Sequence, residues 1–184
     1  MAHWHVFNPD HEAPGKVWLD LANAIGSEGI MPYFKKHGMT NIDPDTWYPM
    51  QKIVDIYNDM ADSKAGLMFD FVSIGMKEAE QAIVPPQFES LPLLNILQSI
   101  EVVFKLNNRG TDPGEVRCET VTNTHVKMIL RVVTPDDLWY GIFYGFVNRF
   151  TPKGTHFTIH YDPDVPHRDI GGDVTIIHIT WGER

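Results

Sequence analysis

LPLLNILQSIEVVFKLNNRG, residues 91–110, is where the periodicity of this chain turns over. Up to this point apolar residues recur at helical spacing, and after it they alternate. Within the stretch itself, Leu93, Ile96, Leu97, Ile100, Val103 and Phe104 share one face at about 100° per residue, the expected core side. Gln98, Glu101, Lys105 and Asn108 gather on another face. Ser90 is the expected cap, and Pro92 suits the first turn, where its missing N–H costs nothing. The stretch predicts a helix that closes at Asn107 or Asn108, before Gly110.

Working back from it, three shorter helices are expected over residues 16–25, 27–37 and 47–60, behind an irregular lead-in over residues 1–15 that holds His3, His5 and His11. A clearer helix is expected over 64–83, with Met68, Val72, Gly75, Met76, Ala79 and Ile83 in one stripe, stopped by Pro85 and Pro86. Working forward, strands are expected over 115–122, 124–133, 155–162 and 173–181. Between the two pairs lies TPDDLWYGIFYGFVNRF, a helix with Thr134 as its cap and Asp136 and Asp137 at the positive end of its dipole. The fold class is therefore α+β. N-terminal helices pack on a C-terminal four-stranded antiparallel sheet, with one helix inserted between its two hairpins. With no repeat or low-complexity tract, residues 1–184 read as one domain.

Composition narrows the function. The chain has 184 residues, with 15 Lys+Arg against 24 Asp+Glu and a net charge of −9, which disfavours a nucleic-acid partner. No run of about 18 apolar residues is present, so no membrane insertion is expected. Cys118 is the only cysteine, which excludes an internal disulfide and fits a cytoplasmic location. On its strand it has no activating partner, so a buried, inert thiol is expected.

The order of elements, with LLNILQSIEVVF, PGEVRCE and the helix–hairpin end, resembles the haem nitric-oxide/oxygen-binding (H-NOX) domains and the related 4-vinyl reductase-like sensor domains. The likeness runs over roughly residues 20–181, and its carriers are 94–101, 113–118 and Gly141-Ile142. It implies a sensor fold. In the haem members a histidine on the long helix holds the iron; here that position falls at Glu101, and the helix has no histidine. The Tyr-x-Ser-x-Arg grip on the propionates is replaced by MILRVVT, which leaves Arg131 alone. The cysteines many 4-vinyl reductase-like domains carry in the last hairpin are absent too. No cofactor, haem included, is therefore expected.

The reading that follows is an intracellular signal-sensing domain, not an enzyme. It binds a small apolar molecule or a signalling protein partner without haem, and homodimerisation stays open. Met68, Phe71, Leu94, Leu97, Glu101, Phe104, Met128 and Leu130 are the candidate ligand-binding residues. Glu101 is either a solvated partner of Lys105, at the favourable i,i+4 spacing, or a carboxylate on the pocket rim. One alternative is a haem-based gas sensor with a noncognate axial ligand. Another is an enzyme using Glu101 or the 160–169 loop for acid–base work, although no nucleophile–base set accompanies them. For metals, His156 and His160 stand about 13 Å apart on a strand, too far to share an ion. The better set is His160, Asp162, Asp164 and His167, in a loop that folds back; a polar hairpin loop stiffened by Pro163 and Pro166 is the plainer reading. Gly141 and Gly145 form GxxxG, expected to let their helix lie close on the sheet.

Overall fold

The computed structural model describes residues 3–63 and 69–182. The helical half contains α1 (Gly15–Ile25), α2 (Ser27–Lys36), α3 (Met50–Asp62) and α4 (Phe71–Gln81). They close over Trp18, Leu21, Phe34, Ile53, Val54 and Met60. The lead-in is not irregular to its end. β1 (Glu12–Pro14) pairs antiparallel with β2 (Trp47–Pro49), so the expected 47–60 helix begins only at Met50. Pro49 explains the delay, because it biases the residue before it towards extended backbone. The long helix expected from residue 64 starts at Phe71. There the Asp70 side chain accepts from the Val72 N–H at 3.0 Å and caps it. Residues 64–68 of that expectation lie outside the described residues.

After the turn-length helix α5 (Pro86–Glu89), the stretch at 91–110 forms α6 (Leu93–Asn107). Its N-cap position is Pro92 with no side-chain bond, so Ser90 is not its cap. Leu93, Ile96, Leu97, Ile100 and Phe104 are buried as expected, each stabilising the fold by roughly 2 kcal/mol. Val103 is not: it is 50% exposed.

The sheet is β3 (Glu115–Thr122), β4 (His125–Arg131), β5 (His156–Tyr161) and β6 (Thr175–Gly182), antiparallel throughout in the order β3-β4-β6-β5. α7 (Asp136–Phe150) is inserted between the hairpins. On the inner face Val116, Val126, Met128, Leu130, Ile177 and Ile179 meet Phe143 and Val147 of α7 and the apolar side of α6. The opposite face carries His125, Lys127, His160 and His178.

The GxxxG pair brings α7 close to a helix, not to the sheet. A Cβ on Gly141 would stand 2.1 Å from the Val72 carbonyl oxygen, and one on Gly145 would stand 2.6 Å from the Ala79 Cβ. Gly75 answers from α4, where a Cβ would meet the Leu138 carbonyl oxygen at 2.1 Å. The two helices thus cross backbone against backbone. Arg149 completes the joint by donating to the carbonyl oxygens of Ala79 (3.0 Å) and Ala82 (2.8 Å) at the α4 C-terminus. Thr134 does not cap α7 either; its hydroxyl accepts from the Trp139 indole at 2.8 Å. The first free N–H of α7, at Asp136, instead donates to the Asp169 carboxylate at 2.9 Å.

Candidate functional site: the seam between α6 and the sheet

Five of the eight candidate ligand-binding residues come together. Leu97, Phe104, Met128 and Leu130 belong to one apolar cluster between α6, α7 and the sheet, and Leu94 packs against it. Phe71 is elsewhere, edge-on to Trp4 and Tyr57 at 5.9 and 5.7 Å in the helical half. Met68 lies outside the described residues.

Glu101 settles on the wet side of its boundary. Its carboxylate accepts from the Lys105 ammonium at 2.7 Å, and its side chain is 34% exposed. Below it, Cys118 is half-buried, and burial with the Glu101 charge pushes its thiol up to about 11, so it stays protonated and unreactive. Few polar ties hold α6 in place. Gln98 donates to the Thr120 hydroxyl at 3.1 Å, and the Asn108 amide oxygen meets His11 at 2.9 Å. Between those ends α6 is held on the sheet by apolar contact. On its outward side Val102, Val103 and Leu106 are at least half exposed.

Arg131 is fully engaged at the far end of β4. It forms a bidentate pair with Asp112 at 2.8 and 2.7 Å, and its guanidinium lies 4.0 Å over the Phe7 ring. The hydrogen bonds from Arg131 hold the Asp112 carboxyl down at about 2. A shallow, mostly polar cleft of 470 Å³ lined by Glu89, Leu91, Arg149 and Thr151 lies away from the seam.

The candidate metal residues separate. His160 is exposed on the outer face of the sheet, stacked parallel to His178 with ring centroids 5.1 Å apart. Asp162 accepts from His178 Nε2 at 2.9 Å and from the Asp164 N–H at 2.9 Å. His167 leaves this group, stacks on Tyr161 at 4.5 Å and bonds the Asp136 carboxylate at 3.0 Å. No three His, Cys, Asp or Glu side chains among the described residues are placed to hold one metal ion.

Asp136 is fully buried and is the hub of that second cluster. Burial pushes its carboxyl up, but the Arg168 charge and the hydrogen bonds around it outweigh burial and hold it below the usual range. Arg168 also donates to the Thr134 carbonyl oxygen at 2.8 Å, and Trp4 donates to Asp169 at 2.6 Å. The loop after β5, the start of α7 and the N-terminal segment are thereby tied together. Of the carboxylates named for acid–base work, Asp169 is committed to these ties, Asp162 to His178 and Glu101 to Lys105.

No family description and no curated protein sequence matches the chain. Solved structures do. One is an oxygen-binding H-NOX domain related to soluble guanylate cyclases, in its oxygen complex. It has a TM-score of 0.65 at 15% identity, covering 92% of this chain and 93% of that one. Another is an H-NOX protein from S. oneidensis in the Fe(II)NO ligation state, with a TM-score of 0.64 at 13% identity over 92% and 99% of the two chains. A third is a protein whose heme redox potential was modulated through porphyrin distortion, with a TM-score of 0.68 at 15% identity over 92% and 95%. The fold of this chain is thus the H-NOX fold, the α+β arrangement expected from its sequence.

The expectation that no cofactor is bound is corrected by the same finding, because the structures that share this fold include haem proteins. That expectation rested on Glu101 at the histidine position and on the missing Tyr-x-Ser-x-Arg grip. The residues of α6 do not themselves fit an iron ligand. Glu101 is solvated and paired, and α6 holds no His, Cys, Met or Tyr, the side chains haem proteins use.

Proposed function

We propose that this chain is a signal-sensing domain of H-NOX fold that takes up an apolar ligand in the seam between α6 and the sheet. It passes the event to a protein partner by displacing α6. The observation that carries this reading is the chemistry of the seam. Leu94, Leu97, Phe104, Met128 and Leu130 meet there by apolar contact, and Gln98–Thr120 is the one side-chain hydrogen bond from α6 to the sheet among the described residues. Apolar contact is non-directional, so an apolar ligand replaces it at little cost, whereas a hydrogen-bonded seam would have to break its bonds. Displacement has an outlet, because the outer side of α6 already presents Val102, Val103 and Leu106 to a partner. The committed carboxylates and the protonated Cys118 support a binding role over catalysis.

Protein purified under native conditions from haem-supplied cells tests the proposal, by absorbance and native mass spectrometry. The expected result is a stoichiometric apolar molecule that Leu97→Trp, which fills the seam, displaces. A Soret band lost in the same variant would identify that molecule as haem. A ligand retained by Leu97→Trp, or no ligand and no thermal shift with any member of a panel of apolar compounds, would overturn it.

A further inference from the structure

The outer face of the sheet carries a row of imidazoles that the seam does not use. His178 lies on β6, with His160 directly opposite on β5 and His125 diagonal to it on β4. His178 Nε2 is 2.9 Å from Asp162 Oδ2, and His178 Nδ1 is 3.0 Å from His125 Nε2. A carboxylate only accepts, so His178 must donate to it from Nε2. In its neutral form its Nδ1 is then a bare lone pair, aimed at His125.

We propose that His178 Nδ1 and His125 Nε2 form a two-imidazole site for a divalent late first-row transition ion, with Asp162 as the carboxylate that orients His178. Imidazole nitrogen is the donor preferred by zinc, nickel and copper ions. Metal-bound histidines almost always give their other N–H to a carboxylate or carbonyl, as His178 does. The spacing fits. Two nitrogens on a tetrahedral zinc, each at about 2.0–2.1 Å, stand about 3.3 Å apart, so 3.0 Å needs only a slight opening. The ion replaces the hydrogen now shared between the rings, and the His125 proton moves through solvent from Nε2 to Nδ1. Charge and protons therefore balance without a co-reactant.

The surroundings set the strength. His160 stacks on His178 with an interplanar angle of 6° and restricts its ring. The His178 side chain is 13% exposed, which leaves access for water to complete the coordination. Lys127 is the direct partner of His178 on β4 and opposes a cation, whereas the Asp162 carboxylate favours one. The four metal candidates read from the sequence shared Asp162 with this site but missed both of its ligands.

Zinc and copper ions are titrated separately into the full chain by calorimetry, with copper paramagnetic resonance reporting nitrogen ligation. One ion per chain is expected, copper tighter than zinc. His125→Ala should weaken binding at least ~10-fold, as should Asp162→Asn, and His156→Ala on the same face should leave it unchanged. Because β6 is a central strand, His178→Ala is read only if its circular dichroism matches the parent; the His125 variant, beside the hairpin turn, decides otherwise. Absence of binding, or binding that survives His125→Ala, or that depends on His156, overturns the proposal.

Discussion

Two helix contacts in this molecule are built on opposite principles. At the α4–α7 crossing, Gly75, Gly141 and Gly145 bring backbone onto backbone with no room for one methyl group, and Arg149 ties the end with hydrogen bonds. At the α6 seam, large apolar side chains interdigitate with few polar ties. The first contact admits only one arrangement. The second tolerates replacement of one apolar surface by another. Under the proposed sensing role, that contrast would make α4 and α7 the frame and α6 the moving wall.

The comparison breaks hardest at the glycines. Gly141→Ala puts a Cβ 2.1 Å from the Val72 carbonyl oxygen, inside helix backbone that cannot yield locally. A loss of at least ~3 kcal/mol is expected from overpacking, read as a collapsed denaturant midpoint or as failure to fold. At the seam, Leu97→Ala removes a fully buried side chain and should cost about 2–4 kcal/mol. An apolar ligand that fills the void should restore part of that loss. If no ligand restores any of it, the seam is an ordinary core.

Glu78 sharpens the comparison through pH. It lies on α4, and burial followed by the charge of Asp20 pushes its carboxyl from 4.5 up to about 8. Its folded value is raised, so the stability it allows is fully present below the unfolded value of 4.5 and is lost as pH rises through about 8. Glu78→Gln should therefore match the parent near pH 4.5 and exceed it by about 1–3 kcal/mol at pH 8 and above, below the full linkage figure because the side chain is partly exposed. Equal midpoints at both pH values would show that Glu78 is solvated. The smallest effect belongs to Glu101→Gln, which removes an exposed pair with Lys105 and should change stability by less than about 0.5 kcal/mol.

Periodicity made much of this legible. The change of spacing after α6 places all four strands within about two residues of their observed ends, and the inserted helix within one. What periodicity missed depends on partners distant in sequence. Trp47 and Tyr48 read as helix because nothing local reveals that Glu12 and Ala13 pair with Pro49 and Tyr48. Thr134 and Ser90 look like caps, but Asp169 reaches Asp136 from 33 residues away, and α6 goes without a side-chain cap. Val103 fits the apolar arc of α6 by angle, yet the sheet covers a narrower stripe than the arc allows.

The site divides in the same way. The seam residues of α6 and β4 were readable because each lies on the apolar side of its own element. The histidine pair was not, because His178 meets His125 only through the register of β4 with β6. Cys118 needed only its place on a strand beside an apolar helix.

Amide hydrogen exchange on the wild-type chain, resolved residue by residue, tests the central claim that α6 moves against a fixed frame. The account predicts that the amides of α4 and α7 exchange only through global unfolding, whereas those in the middle of α6 open locally and are at least ~10-fold less protected. Protection along α6 equal to or greater than that of α7 would contradict it, and would make the seam as fixed as the crossing.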